Sequence, residues 1–185
     1  TRKESSAASD VYKRQVYDSM VAVRKEVEML DAYMSLMCYR YSDIIYRSEI
    51  EPGALDIEIP NFILQPLLEN SLMHGLKDRR YQGTIILKIY RNEQDKNELN
   101  IWLIDDGIGI PDDKMAELNA YNAKDSEALY RVQTRTEGDR THLGVINVIS
   151  RLKLYYQENA EVIYMRNETG GTTVKIKIKT ASEET

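Results

Sequence analysis

The chain has 185 residues, 42% hydrophobic and 30% charged, a balance that suits one globular domain with an appendage. Its net charge of -5 leaves no basic surplus for a phosphate backbone, so nucleic acid is not an expected partner. A single cysteine, Cys38, excludes an intramolecular disulfide and a cysteine-rich metal site, and no apolar run approaches the roughly 20 residues of a membrane-spanning helix.

Thr1 to Ser9 is small, polar and aperiodic. Asp10 to Gln15 can be reverse-translated as GAT GTG TAT AAG AGA CAG, a string that resembles the transposon-end adapter of sequencing libraries. Thr1 to Gln15 is therefore expected to be a non-native leader, with an ordinary disordered terminus as the alternative. Either way it is set aside from the fold.

From Val16 a stripe begins. Val16, Met20, Val23, Val27, Leu30, Met34, Met37 and Tyr41 are spaced 4, 3, 4, 3, 4, 3, 4, with no glycine or proline between them. This heptad spacing predicts one long helix over 16–41 whose seam packs against a partner helix. A surface helix lying on its own domain is the alternative. Asp43 to Glu51 alternates and is rich in β-formers, which predicts a strand ended by Glu51-Pro52-Gly53. Pro60 to Leu76 reads as a helix with proline near its first turn. Thr84 to Arg91 and Glu98 to Ile104 read as strands around a polar turn at Asn92 to Asn97. Pro111 to Arg140 is polar and predicts a short helix followed by a mobile segment. Leu143 to Tyr156 reads as a helix, and Glu161 to Arg166 and Thr172 to Lys179 as strands joined at Gly170-Gly171. In the last strand Val174, Ile176 and Ile178 alternate with Lys175, Lys177 and Lys179, so one sheet face is buried and the other wet. The order of elements predicts an α+β sandwich, a mixed sheet with helices on one face. The unit so delimited runs from 42 to 180, with 181–185 as a tail.

Three segments carry chemistry. At about 100° per residue, Leu64, Leu67, Leu68, Leu72, Gly75 and Leu76 share one side of their helix. Glu69, Asn70, Met73, His74 and Lys77 share the remaining arc of about 140°. An amide oxygen and a carboxylate facing a phosphate chain suit a hydrated Mg²⁺, which prefers oxygen ligands; a solvated polar face is the plainer reading. The second segment, Asp105-Asp106-Gly107-Ile108-Gly109-Ile110, follows a strand. Its glycines permit close approach to a ligand, and a buried carboxylate there can accept a hydrogen bond from an exocyclic amine. A hairpin or calcium loop could look alike, though Ile108 and Ile110 argue against calcium. The third, Thr141-His142-Leu143-Gly144-Val145-Ile146-Asn147, opens a helix whose N–H groups can meet a phosphate.

In this order the segments resemble the N, G1 and G2 boxes of the Bergerat (GHKL) ATP-binding fold. Leu64-Gln65-Pro66-Leu67-Leu68-Glu69-Asn70-Ser71, followed by His74-Gly75, resembles the N box of LytS/YesM-type sensor histidine kinases. Arg24-Lys25-Glu26-Val27-Glu28 and Tyr39-Arg40-Tyr41 resemble that family's second dimerisation helix. The resemblance covers roughly Val21 to Lys179. It implies a two-layer sandwich preceded by a long helix, with ATP and Mg²⁺ as cofactors. Asn70 would hold Mg²⁺, Glu69 would orient the attacking group, and His74 and Lys77 would lie near the phosphates. Asp105, supported by Thr172, would read the adenine amine, and Gly107 and Gly109 would line its pocket. His142, Leu143 and Gly144 would meet the phosphates, and Pro111 to Arg140 would be the ATP lid. His142 stands where the G2 box commonly has a glycine.

The implied activity is transfer of the ATP γ-phosphate to a histidine and thence to a response regulator. The only histidines, His74 and His142, lie inside the boxes, so the acceptor is expected upstream of Val16. The resemblance further implies a homodimer joined through the Val16–Tyr41 helix. It implies the cytoplasmic part of a bacterial plasma-membrane protein, anchored by segments not in this chain. The rival readings are a GHKL ATPase or anti-sigma serine kinase, which lack the joined heptad helix, and a degenerate binding module. The intact Asn70, Asp105, Gly107 and Gly109 argue against the latter.

Overall fold

The computed structural model describes residues 20–124, 129 and 143–180. The leader over 1–15, the start of the stripe at Val16, most of the lid beyond Lys124, His142 and the tail over 181–185 lie outside these residues, as does the side chain of Leu143.

Elements follow in the order β1 (Met20–Ala22), α1 (Val23–Arg40), β2 (Ile44–Ile50), β3 (Glu58–Pro60), α2 (Leu64–Asn70), β4 (Gly83–Arg91), β5 (Glu98–Asp105), α3 (Asp112–Ala120), α4 (Leu143–Tyr156), β6 (Ala160–Arg166) and β7 (Thr172–Lys179). Five strands form one sheet in the order β2-β4-β5-β7-β6. The β2–β4 pair is parallel and the other pairs are antiparallel, so the sheet is mixed as expected. One face carries Ile85, Leu87, Ile89, Leu99, Ile101, Leu103, Val174, Ile176 and Ile178, all buried beneath the helices. The other face is wet only in part: Lys177 and Lys179 are exposed, but Asn100 and Thr173 are buried and Ile86, Tyr90 and Trp102 are half-buried. There Lys175 places its Nζ 3.9 Å from the centroid of the Trp102 ring, a cation–π contact that also covers apolar surface.

The N-terminal helix differs from expectation in two ways. It is shorter: Met20–Ala22 is a strand, paired with β3 through Met20↔Pro60, Val21↔Ile59 and Ala22↔Glu58. The amides of Val23 and Arg24 then donate to Ile57 and Leu55 carbonyls, which binds the helix start to the body of the fold. Its seam is also used at home. Val23, Val27, Leu30 and Met34 are buried in the same core as the sheet and α2. The alternative reading of the heptad stripe is the correct one, because a 3.5-residue period serves equally for one long contact with a sheet and a helix.

The second correction concerns Pro60. It ends β3 rather than opening a helix. Phe62, at φ 54°, turns the chain, and α2 starts at Leu64. The helix start has no cap of its own. Glu26, 4% exposed and one turn into α1, supplies it. Its carboxylate accepts from the amides of Phe62 at 2.7 Å and of Ile63 and Leu64 at 3.2 Å, a negative charge at the positive end of a helix. Arg151 of α4 donates to the Asn61 and Phe62 carbonyls, both at 3.0 Å, and clamps the same loop from the other side.

The edge strand β6 is covered by side chains. Asn119 donates to the Tyr164 carbonyl and accepts from its amide; Asn122 does the same for Val162. Two asparagines three residues apart thus stand in for a neighbouring strand and close the edge. They also fix α3 in place, with Leu118 and Tyr121 buried behind them. The described part of the expected lid is therefore the short helix foreseen, docked on the sheet.

Candidate functional site

A cleft of about 750 Å³ opens on the helix-covered side of the sheet. Its floor is the C-terminal end of β5 and the start of β7. One wall is the continuation of α2, and the other is formed by the loop after β5 and by α3.

The α2 wall is not a uniform α-helix. From Ser71 to Leu76 the backbone widens into a π turn, and a 3-10 turn follows at Lys77–Arg79. Widened turns of this kind occur at functional sites. The reason here is local. The amide of Ile108 donates to the Gly75 carbonyl at 3.0 Å, so the glycine loop is laced to the helix wall. A Cβ on Gly107 would stand 2.5 Å from that carbonyl oxygen, and one on Gly171 would stand 2.1 Å from the Asp105 carbonyl oxygen. Two glycines are therefore required by backbone-to-backbone packing. Gly109 is required by conformation as well, with φ 75°.

At the base of the cleft is Asp105, 3% exposed. Its Oδ1 accepts from the Gly107 amide at 3.0 Å and the Thr172 amide at 3.2 Å, and its Oδ2 accepts from the Ser71 hydroxyl at 2.9 Å. Burial pushes the Asp105 carboxyl above the usual aspartate range, and these three donors work against that rise. Its carbonyl is held by Asn167 Nδ2 at 2.7 Å. The next residue, Asp106, turns the other way, accepting from the Thr84 amide at 2.8 Å and pairing with Arg79 at 3.7 Å. Of the two adjacent acids, one faces the cleft and one pins the loop to β4.

The expected residues divide as follows. Asn70, His74, Lys77, Asp105, Gly109 and Thr172 line the cleft. Gly107 shapes the loop by packing on Gly75 and does not line it. Glu69 is turned aside: its carboxylate accepts from Gln65 Nε2 at 2.9 Å, and its charge raises the phenol of Tyr33 on α1, secondarily to burial. Gly144 stands beside Pro66, and the described lining resumes at Val145. His142 lies outside the described residues.

Ser71, Gly75, Leu118, Val145, Tyr164 and Val174, none of them expected as site residues, also line the cleft, together with Leu67, Met73, Asp78, Ile108, Ile110, Pro111 and Lys114. Ser71 could have been found, since at about 100° per residue it falls among the leucines, between Leu67 and Leu64, where a polar group needs a partner. Tyr164 could not, because an inward aromatic on a strand reads as core.

The cleft has two chemical halves. Around Asp105 the walls are apolar, with Ile110, Leu118, Val145 and Val174. At the mouth stand Asn70, His74, Lys77, Asp78 and Lys114. A flat heteroaromatic group with one exocyclic donor fits the first half, and an anionic chain fits the second. Among the described residues no group of three His, Cys, Asp or Glu side chains could hold a metal by itself. The Asn70 amide oxygen suits a hydrated Mg²⁺ that takes its other ligands from phosphates and water.

Residues 56–182 match the family described as histidine kinase-, DNA gyrase B- and HSP90-like ATPases. The chain is 34% identical over 159 residues to the sensor protein LytS of Oceanobacillus iheyensis, a match that takes in 85% of this chain and 25% of that protein. It is 28% identical over 158 residues to the protein YwpD of Bacillus subtilis, over 85% of this chain and 50% of YwpD. The catalytic domain of histidine kinase ThkA, in a nucleotide-free form, has the same fold with a TM-score of 0.60 at 12% identity, over 89% of this chain and 98% of that one. The chain thus spans between a quarter and a half of the length of these sequence relatives.

Proposed function

This chain belongs to the histidine kinase-, DNA gyrase B- and HSP90-like ATPase family, and on that premise we propose that it binds Mg-ATP in the cleft and delivers the γ-phosphate to a histidine on a separate helix. Fold and sequence are those of a sensor-kinase catalytic domain.

One observation carries the reading. A buried carboxylate, held by three donors, lies at the base of an apolar half-cleft whose mouth is polar. The carboxylate keeps acceptor capacity for an exocyclic amine, because an ionised aspartate has about four lone-pair sites and three are used. At the mouth, Lys77 and Lys114 offset phosphate charge. Mg²⁺ held by Asn70 and the phosphates would neutralise the charge that develops on the transferred group. The chain's own part in the chemistry is alignment. His74 is exposed on the cleft wall, in the helix that would hold the metal, and we read it as a pocket residue rather than as the acceptor. The acceptor is a histidine on another helix, and a response regulator takes the phosphoryl group from it.

We place the chain on the cytoplasmic side of a membrane sensor, where ATP is available; among the described residues no helix is long and apolar enough to cross a bilayer. Self-association through α1 uses a different stripe from the one first read. Met29, Ala32, Leu36 and Tyr39, spaced 3, 4, 3, are all exposed, whereas Val23, Val27, Leu30 and Met34 are occupied within the domain.

The test is phosphotransfer in trans. The chain is incubated with γ-labelled ATP, with and without a helical-hairpin fragment of an intact relative that carries an acceptor histidine. Acid-labile label on the hairpin, and none on the chain alone, is the expected result. Stoichiometric label on His74 or His142 would overturn it.

A further inference from the structure

Tyr164 is 3% exposed, lies in the wall of the cleft, and its hydroxyl meets no hydrogen-bond partner among the described residues. Among the described residues, no other side chain lining the cleft carries a fully buried polar atom without a partner. Asp105 has three donors, and the backbone of Tyr164 itself is closed by Asn119. An enclosed phenol without a partner is a cost that folding alone does not repay. It calls for a water or for a ligand group.

Its place in the sheet favours a ligand. Tyr164 pairs with Val174 on β7, which pairs with Leu103 on β5. The adjoining row toward the cleft mouth is Arg166, Thr172 and, beyond Ile104, Asp105. Asp105 and Tyr164 therefore stand on the same face, two strand spacings apart and two residues along, or about 12 Å. Leu118, Val145 and Val174 lie with them in the same wall. Those apolar neighbours offer no partner for a water to share, and a buried water needs two to four polar contacts. A bicyclic base anchored by its amine at Asp105 spans toward β6.

We propose that the Tyr164 hydroxyl is a second base-reading contact of this cleft, donating to a ring nitrogen of the bound purine. The inference rests on the nucleotide reading above and adds a specificity residue to it. Asp105 accepts from the exocyclic amine and Tyr164 donates to a ring nitrogen, so the pair asks for a donor and an acceptor at fixed separation. The hydroxyl is enclosed, so the base reaches it by displacing part of its apolar cover. Burial pushes the phenol well above its usual range, which keeps it a donor at any working pH.

The test is Tyr164→Phe, which removes one oxygen and keeps the ring. ATP binding to the whole chain is measured by calorimetry and the nucleotide-free melting temperature by scanning calorimetry. The expected result is about fivefold weaker ATP binding with a melting temperature unchanged or higher. ATP affinity within error of wild type would overturn the proposal. The 1-, 3- and 7-deaza analogues of ATP supply the second arm, decisive even where the variant loses stability. One of them is expected to bind wild type and Tyr164→Phe alike, because it lacks the nitrogen that the hydroxyl meets. If the ratio of ATP to every analogue is the same in both proteins, the hydroxyl does not touch the base. Failure of wild type to bind ATP would instead remove the nucleotide reading, and this inference with it.

Discussion

Asp105→Asn separates recognition from folding, and the structure fixes the sign of both effects. The folding side comes first. Oδ1 of an asparagine still accepts from the Gly107 and Thr172 amides, and the Ser71 hydroxyl can turn to accept from the new NH₂ instead of donating. Each group that bonds the residue 105 side chain keeps a bond to it. The substitution also removes a buried charge whose pKa is raised by desolvation. A raised carboxyl pKa means stability that is complete below the unfolded value of about 3.9 and is lost as pH rises through the folded value. Wild type therefore has a penalty at neutral pH that the variant lacks. The nucleotide-free variant should melt no lower than wild type at pH 7, and the difference between them should shrink as pH falls toward that of the unfolded group. Recognition goes the other way. A donor now faces the exocyclic amine, a mismatch of about 1–3 kcal/mol, which is roughly 5- to 150-fold in affinity. Inosine triphosphate, with a carbonyl in place of the amine, should lose much less than ATP. The assay is calorimetric titration of both nucleotides beside thermal melts across pH. Equal losses for ATP and inosine triphosphate, or a variant that unfolds at pH 7, would refute the reasoning.

Three further outcomes follow from other parts of the molecule. Glu26→Ala leaves three amides at the α2 start without an acceptor, so a loss of about 1–3 kcal/mol is expected in denaturant titration; no loss would mean that Glu26 caps nothing. Asn70→Asp should leave the circular dichroism unchanged, since residue 70 is on the open side of its helix, while the ratio of ATP affinities with and without Mg²⁺ moves away from wild type. Leu36→Glu, at a position 64% exposed, should leave the melting temperature of dilute protein alone and lower the self-association seen by sedimentation; unchanged association would clear the outer stripe of α1 of any role.

What the sequence disclosed was whatever is decided locally. The alternation of Val174, Ile176 and Ile178 with three lysines located β7 and its buried face, and the two glycines after a strand-borne acid located the floor of the cleft. What it hid depends on partners distant in the chain. Glu26 reads as one charge among several on a polar helix, yet it caps amides 36 to 38 residues away. Asn119 and Asn122 read as loop-lid polarity, yet they complete a sheet edge 45 and 40 residues on. The heptad stripe marks the apolar side of α1 and not its partner, because periodicity reports which side of a helix is apolar and says nothing of what covers it; here the cover is the domain's own core.

The π turn in the helix wall preserves the leucine face and tightens it. Taking Leu64 as zero and about 100° per residue throughout, the residues at 64, 67, 68, 72, 75 and 76 spread over an arc of about 180°. A widened turn with i→i+5 bonding advances only about 82° per residue, and applying that from Ser71 draws the same six into about 115°. The π turn tightens the buried stripe, and all six are in fact buried. The same shift acts on the polar residues. Uniform helix puts Asn70 and His74 about 40° apart; the widened turn keeps them within about 35°, so both still line the cleft. Glu69 precedes the change and stays about 100° from Asn70, on the side of Gln65 and Tyr33. In this conformation the Glu69 carboxylate is engaged by Gln65 and lies outside the cleft lining. If Glu69 orients the attacking group as proposed, its carboxylate must first leave Gln65, so Gln65→Ala is expected to leave that role intact while Glu69→Gln removes it, as a phosphotransfer assay would read.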